Sequence, residues 1–341
     1  MTVDQVRTDV HRIVVRTPNW LGDAILALPA IAAVRRAMKD AALAVAAPAS
    51  LAPLFREETS AGQDEIVTLR HPNDSASLRN ATFEAILLLP NSFRAAWVAR
   101  QAGIRERWGY AAAFRGPLLT RAVRRPRDRK LHHAEYYKTL VRELGMDAGD
   151  ELPRVRPRPE SAERADSLLA REGVAVGGLV VGLAPGAAYG HAKRWPPKRA
   201  AELIVRLTRQ RGAACVLVGA AGDRDAGREI ESALPTDVRA SNLIGRTDLS
   251  LLVGVLARCA AFVSNDSGAM HLAAAAGVPV TAIFGPTDDR VTAPVGDNDV
   301  LTHEVFCRPC MLRDCPIDHR CMKGITVDRV FDAVSHRLDV S

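Results

Sequence analysis

The sequence predicts an α/β protein made of two doubly wound domains in series, and three observations predict it. Short β-branched or apolar runs alternate with helix-length amphipathic patterns along the chain. The alternation is interrupted by "DELPRVRPRPESAE", in which prolines stand at 153, 157 and 159. At 341 residues, 48 % of them apolar, the chain is too long for one ordinary core and apolar enough for two.

The elements follow in order. "RIVVR" (12–16) reads as a strand, and Asp23–Lys39, with apolar residues at three- and four-residue spacing, as a helix. "LAVAA" (43–47), "EIVTL" (65–69) and "FEAILLLP" (83–90) read as further strands. "HHAEYYKTLVRELG" (132–145) is a helix stopped by Gly145. The first domain is therefore 1–155, and the proline-stiffened stretch leads into a linker over 156–175. A second domain, 176–326, restarts with strand "GLVVGLAP" (178–185), helix Lys198–Arg211, strand "ACVLVGA" (214–220), and helices Asp223–Leu234 and Leu249–Cys259. Strands "AAFVSND" (260–266) and "VPVTAIFG" (278–285) bracket a helix around His271–Ala276. Residues 327–341 are expected to form a C-terminal helix that packs back on the first domain. Strand–helix alternation implies right-handed crossovers and parallel sheets, whose ligands sit beyond the carboxyl ends of the strands. A cleft is expected between the domains. Asp23 and Asp266 each follow a strand at such an end.

The N-terminus lacks a long apolar segment and carries acids, unlike a signal peptide, and no stretch reaches the roughly 18 apolar residues of a membrane helix. A cytoplasmic protein with reduced cysteines is the expectation, with Cys215 and Cys259 in the core. The net charge of +7 is concentrated between residues 94 and 130. There Arg94, Arg100, Arg105, Arg107, Arg115, Arg121, Arg124, Arg125, Arg127, Arg129 and Lys130 face only Glu106 and Asp128. Such a run is either a solvated face or a surface for an anionic partner, and its few aromatics disfavour base stacking.

No GxGxxG follows the first strand and no GxxxxGK[ST] occurs, which removes the usual dinucleotide turn and the P-loop. Phosphate-binding features take another form. "PGAAYGHAKRWP" (185–196) is a glycine-rich loop with Lys193 and Arg194. "NDSGAMHLAAAAG" (265–277) is a polar turn feeding a small-residue helix, where Ser267, Gly268 and Ala269 would turn free N–H groups toward a pyrophosphate. The plainer alternatives are an ordinary N-cap and surface charge. In the tail, "CRPCMLRDCPIDHRCM" (307–322) opens with a zinc-knuckle C-x-x-C. Cys307, Cys310, Cys315, His319 and Cys321 could supply a closed structural zinc site, or the segment is a reduced, metal-free loop.

Taken together, "NWLGD", "LLLPNSFRAAWVARQAGI" (87–104), "RWGY" (107–110), "PGAAYGHAKRWP" and "SNDSGAMHLAAAAGVPVTAIFGPTD" resemble the lipopolysaccharide heptosyltransferases, and among them the type II branch, in the right order from about residue 12 to about residue 330. The resemblance implies a GT-B fold, two Rossmann-like domains about a cleft. It implies an inverting transfer with no divalent metal, from ADP-L-glycero-β-D-manno-heptose to a heptosyl-Kdo-lipid A core, at the cytoplasmic face of the inner membrane. Asp23 falls on the family's proposed general base and Lys193 on its donor-phosphate lysine. Asp223 falls on the ribose-facing acid, Asp266, Ser267, Gly268 and His271 on the donor loop, and Thr247 near the adenosine, with Arg194 beside Lys193. Asn19, Trp20, Asn91, Ser92, Arg94, Arg121, Arg124 and Arg125 are the acceptor-side candidates. Type I relatives carry Glu at the position of Asp223, so the shorter Asp223 reaches less far toward the ribose; they carry hydroxyl residues at the positions of Ala187 and Ala188, whose absence here leans to type II. A type I or III transferase is the alternative within the family. A basic zinc-knuckle nucleic-acid-binding protein is the alternative outside it, and leaves the two phosphate loops unexplained; the leading reading has no nucleic-acid partner.

Asp23 itself is either a helix-capping acid or a base aimed at a ligand. A helix N-terminus favours the carboxylate and so makes a weak, permanently ionised base. That suffices if the transition state is oxocarbenium-like, because the attacking hydroxyl becomes acidic only as its bond forms.

Overall fold

The computed structural model describes residues 10–128, 130–175 and 177–340. Residues 1–9 of the leader reading, Arg129 of the basic run and Ser341 of the C-terminal helix lie outside the described residues. The chain divides into two compact units, with the boundary between Arg154 and Val155.

The first unit carries strands β1 Arg12–Arg16, β2 Ala42–Pro48, β3 Glu65–Leu69, β4 Ala85–Leu88, β5 Glu106–Tyr110 and β6 Arg121–Val123. They form one parallel sheet in the order β3-β2-β1-β4-β5-β6, with Val14 level with Ala44 on one side and Ile86 on the other. Its helices are α1 Leu21–Leu26, α2 Leu28–Ala37, α3 Asp74–Arg79, α4 Phe93–Gln101 and α5 His133–Glu143. The second unit repeats the scheme with β7 Val180–Ala184, β8 Ala214–Leu217, β9 Ala240–Asn242, β10 Ala261–Asn265, β11 Val280–Phe284 and β12 Asp299–Thr302. Their order is β9-β8-β7-β10-β11-β12, again parallel. Its helices are α6 Pro159–Arg171, α7 Pro197–Arg211, α8 Arg224–Ala233, α9 Leu249–Leu256, α10 Gly268–Ala275, α11 Asp289–Thr292, α12 Arg320–Lys323 and α13 Val327–Val340. Every residue of β7, β10 and β11 is buried, as expected for central parallel strands covered on both faces. In each sheet the order reverses beside the first strand, between β1 and β4 and between β7 and β10, so each unit has one switch point at its carboxyl edge.

Several expectations need correction. The helix read as Asp23–Lys39 is two helices that break at Ala27, because Pro29 has no N–H to continue the ladder. The linker read at 156–175 contains α6: Pro159 starts it at a position where the N–H is not needed. Buried Ser161, Ala165, Leu168 and Leu169 then form one stripe. That stripe packs on α9. Helix α13 supplies part of the second unit's core. Val327, Val330, Phe331 and Val334, spaced along one helical face, enter the second unit's core with Leu203, Ile204 and Leu207 of α7. Arg206 of α7 sits over the Phe331 ring at 4.1 Å. Strands β5, β6, β9 and β12 were not read from sequence: they lie toward the sheet edges and are short or mixed in polarity, so no period of two emerges. Among the described residues no helix is long and apolar enough to cross a membrane.

The α6–α9 contact is set by Gly254, where an added Cβ would lie 2.4 Å from the Ser161 carbonyl oxygen and 2.8 Å from the Ala165 Cβ. Alanine normally gains up to about 1 kcal/mol over glycine inside a helix. Here the clash is with backbone and overrides that gain, so Gly254→Ala should destabilise by about 1–3 kcal/mol in urea unfolding. A stabilised variant would show that the two helices separate freely.

Candidate functional site

In the first unit the loop after β1 runs through Thr17–Trp20 into α1. Trp20, exposed and extended, is the N-cap residue, and its side chain does not cap the helix. Asp23 lies in the first turn, and its Oδ1 meets His133 Nδ1 of α5 at 2.9 Å. Its carboxylate therefore does not do the work of a cap, and at 26 % exposure it remains reachable from solvent. One turn after His133 on the same helix, Tyr137 is buried, and its hydroxyl is held well above the ordinary tyrosine pKa, first by burial and then by the Asp23 charge.

The switch point gathers three of the acceptor-side candidates. Asn19, Ser92 and Arg94 line one cavity of about 160 Å³ with Arg16 and Asp74. Arg16 donates to Asn19 Oδ1 at 2.8 Å and to the Thr17 carbonyl at 2.7 Å, and burial pulls its pKa down to about 10. Arg94 pairs with buried Asp74 at 3.0 Å, while Ser92 caps α4 by accepting from the Ala95 N–H. Asn91 and Arg125 converge elsewhere, on the Tyr136 hydroxyl, at 2.8 and 3.2 Å.

The arginine segment is not one charged wall. Arg115 is fully buried and donates to the carbonyls of Tyr110, Pro90 and Ser92. Arg107 bonds the Leu118 and Ile104 carbonyls, and Arg121 lies over Trp108 at 5.4 Å with a bond to the Leu144 carbonyl. Arg124 and Arg125 are exposed. Sequence alone could not sort these, because a guanidinium reads the same whether it serves a buried carbonyl or water.

In the second unit the switch point assembles the phosphate candidates. Lys193, nearly buried in a short turn after β7, donates to Asp266 Oδ2 at 2.5 Å. The same oxygen accepts from the Thr287 hydroxyl at 2.7 Å. Asn265 fastens the glycine-rich loop on both sides: its amide donates to the Pro185 carbonyl at 2.7 Å, and its Oδ1 accepts from the Trp195 N–H at 3.1 Å. Ser267 occupies the N-cap of α10 without capping it; its hydroxyl lies 3.1 Å from that of Ser264. The helix thus opens at Gly268 without a cap from the Ser267 side chain. His271, in contrast, is buried within α10.

Asp223 accepts from the Ala220 N–H at 3.1 Å and pairs with Arg194 at 3.4 Å. It rests against Gly186, where a Cβ would fall 2.0 Å from its carboxyl carbon, so a larger residue there would have to displace the Asp223 carboxylate. Thr247 is half-buried in the turn before α9, next to the N-cap Asp248. Sequence reasoning missed His133 and Tyr136, which carry no local signal because their partners are 110 and 45 residues away. It also missed Thr287, for which a signal existed: a polar residue just past the carboxyl end of a buried strand.

The tail residues Cys307, Cys310, Cys315 and His319 are half-buried and Cys321 is buried. Among the described residues no group of three or more His, Cys, Asp or Glu side chains is arranged to hold a metal ion. Burial chiefly, and then the nearby Cys307, Cys310 and Cys315, raise the Cys321 thiol pKa.

Two parallel sheets, each with polar and charged loops at its switch point, make this an α/β protein of two Rossmann-like units. Residues 75–320 match the domain described as glycosyltransferase family 9 (heptosyltransferase). Lipopolysaccharide heptosyltransferase 2 of Salmonella typhimurium (strain LT2) is 33 % identical over 298 residues, which is 83 % of this chain and 85 % of that protein. The structure of E. coli ADP-heptose lps heptosyltransferase II superposes with a TM-score of 0.83 at 29 % identity, covering 96 % of this chain and 99 % of that one. A family 9 glycosyl transferase from Veillonella parvula shares the fold at a TM-score of 0.85 and 22 % identity, over 100 % of this chain and 99 % of that one. The chain belongs to glycosyltransferase family 9, the heptosyltransferases, and is a glycosyltransferase. The nucleic-acid-binding alternative is thereby replaced.

Burial pushes the thiol pKa of Cys215 and of Cys259 up to about 12. A raised thiol pKa means the neutral form at pH 8, so both should be silent toward an aromatic disulfide reagent in the native protein. Cys307, Cys310 and Cys315 should react first, and the full complement only after denaturation. Native-state labelling of Cys215 or Cys259, read by peptide mass, would contradict this placement.

Proposed function

We propose that this enzyme transfers L-glycero-D-manno-heptose from ADP-L-glycero-β-D-manno-heptose to a heptosyl-Kdo-lipid A core, adding the second heptose with inversion. The observation that carries the reaction is Asp23: a reachable carboxylate at the carboxyl end of β1, bonded to His133 and not used as a cap. The similarity to proteins named heptosyltransferase 2 supports the second heptose over the first. The first unit takes the acceptor and the second takes the donor.

In the transfer, an acceptor hydroxyl oxygen bonds to the anomeric carbon and its proton passes to the Asp23 carboxylate. The bond from the anomeric carbon to the β-phosphate oxygen breaks, and its electron pair leaves on ADP. Lys193 and the uncapped start of α10 at Gly268 stabilise that growing charge, while the Asp23 carboxylate stabilises the cationic sugar. Asp266 and Thr287 hold Lys193 in place, Asp223 and Arg194 serve the ribose side, and Thr247 the adenosine. Asn19, Trp20, Asn91, Ser92 and Arg94, with exposed Arg124 and Arg125, serve the acceptor, whose carboxylates and phosphates suit guanidinium forks. Transfer is read as needing no metal; a tail zinc on the cysteines is a separate question for metal analysis of the purified protein. The enzyme works at the cytoplasmic face of the inner membrane, in peripheral contact with it, where its lipid acceptor lies. Incubation with ADP-heptose and defined truncated cores, followed by linkage analysis of the product, tests the assignment: product only on cores lacking the first heptose would refute it.

Asp23→Ala should lower turnover at least ~10²-fold while ADP-heptose binding stays near normal. Near-normal turnover would remove Asp23 from the chemistry. Lys193→Ala should weaken donor binding and turnover together, since it meets phosphate in both the ground and transition states.

Arg124 offers a cleaner test of the acceptor surface than the whole segment. Neutralising it should raise the acceptor KM and flatten its salt dependence, leaving the donor KM unmoved. Including Arg121 or Arg125 would confound the result, because the packing of Arg121 on Trp108 and the contacts of Arg125 with Tyr136 would be lost as well. Unchanged acceptor kinetics at low ionic strength would make this face solvated surface only.

A further inference from the structure

The cysteine-rich tail lies against both sides of the Lys193–Asp266 pair. On the Asp266 side, Arg308 Nε donates to the Gly285 carbonyl at 3.0 Å and the Met311 N–H donates to the Pro286 carbonyl at 2.9 Å. The next residue, Thr287, is the one that donates to Asp266. On the Lys193 side, the Ala192 N–H donates to the Arg313 carbonyl at 2.9 Å, and the Tyr189 hydroxyl donates to the Met311 carbonyl at 3.0 Å. Gly190 permits this approach: a Cβ there would sit 2.3 Å from the Arg313 carbonyl oxygen. A six-residue stretch of tail, Arg308–Arg313, thus fastens the turn that carries Thr287 to the loop that carries Lys193.

The same contact brings a second cation to Lys193. The Tyr189 ring has Lys193 Nζ 4.6 Å from its centroid and the Arg313 guanidinium carbon at 5.2 Å. Lys193 is balanced by Asp266, but among the described residues no carboxylate pairs with Arg313, and its side chain is exposed. An aromatic face compensates a cation only weakly. A guanidinium held on a ring beside a phosphate-binding lysine is placed for a dianionic ligand, whose oxygens its planar fork can grip in pairs.

We propose that the tail is a working part of the donor site: Arg313 is a second cation for the diphosphate of a nucleoside-diphosphate donor, and Tyr189 is the positioning residue whose ring both Arg313 and Lys193 contact. This rests on the reading of Lys193 as the donor-phosphate lysine. It gives the tail cysteines a structural setting in the loop that delivers Arg313, whether or not they bind metal.

The test is calorimetric titration of the full chain with ADP and with AMP, for the wild type and for Arg313→Ala, Arg313→Lys, Tyr189→Phe and Lys193→Ala, with thermal melts to establish folding. Arg313→Ala should weaken ADP by about tenfold, the usual loss for one charge-assisted contact, and AMP much less. Arg313→Lys should recover part of the loss, which a purely structural role would not predict. Tyr189→Phe, which keeps the ring and drops the bond to Met311, should weaken ADP more than AMP by a smaller factor. Equal losses for ADP and AMP would reduce Arg313 to a scaffold and overturn the proposal. So would an unchanged ADP affinity in Arg313→Ala while Lys193→Ala loses it. If Lys193→Ala binds ADP like the wild type, the donor-site reading itself fails, and this inference with it.

Discussion

The second unit is organised around one buried ion pair, Lys193 with Asp266. Both side chains are about nine-tenths buried, so neither charge has enough water to stand alone. Removing one partner from such a pair typically costs about 3–5 kcal/mol, because the other charge is left uncompensated. The surrounding structure is arranged to keep the pair intact. Thr287 occupies a further lone pair of Asp266, Asn265 pins the loop that brings Lys193, and Trp195 closes behind it with its indole N–H on the Ile325 carbonyl. The pair joins a loop after β7 to a loop after β10, the two strands that flank the reversal of strand order. A phosphate entering here would find a cation whose position is already fixed, so little reorganisation is needed when charge develops on it.

The first unit repeats the topology but is organised differently. Its switch point is held by arginines that serve carbonyl oxygens, above all buried Arg115, which spans the ends of β4 and β5. Burial lowers its pKa to about 10, still charged at neutral pH, which is tolerable because its donors are satisfied by backbone. The consequence is that the loop after β4, which carries Ser92, is fastened to the end of β5. The two units thus use the same sheet for different electrostatic ends: one displays a carboxylate, the other a lysine and open helix N–H groups.

The contact between α6 and α9, and the seating of α13 on α7, show how segments with weak sequence signals become integral. Gly254 brings two helices together, and the face Val327, Val330, Phe331 and Val334 closes the core of the second unit. Proline-rich sequence before α6 looks like a linker until the buried stripe that follows it has something to pack on. The tail behaves alike: its cysteines suggest metal by spacing, yet its fixed points are carbonyls, of Met311 and Arg313, bonded to the glycine-rich loop.

Much of this was legible in the residues alone. The central strands β1, β2, β4, β7, β10 and β11 announce themselves because their middles are buried on both faces and their runs are mostly apolar. The loops that follow them announce themselves because polar and glycine residues end those runs abruptly, which is how Asp23, Lys193 and Asp266 stood out. Edge strands such as β6 and β9 stayed hidden because half-burial over three residues leaves no period to read. Tertiary structure alone decided which charges meet. That Asp23 faces His133 across 110 residues, that Arg115 and Arg121 turn inward while Arg124 stays outside, and that the tail returns to Lys193 across more than a hundred residues are facts of chain closure. Local sequence fixes propensity and period, whereas the partner of a charge is set by the whole chain's route through space.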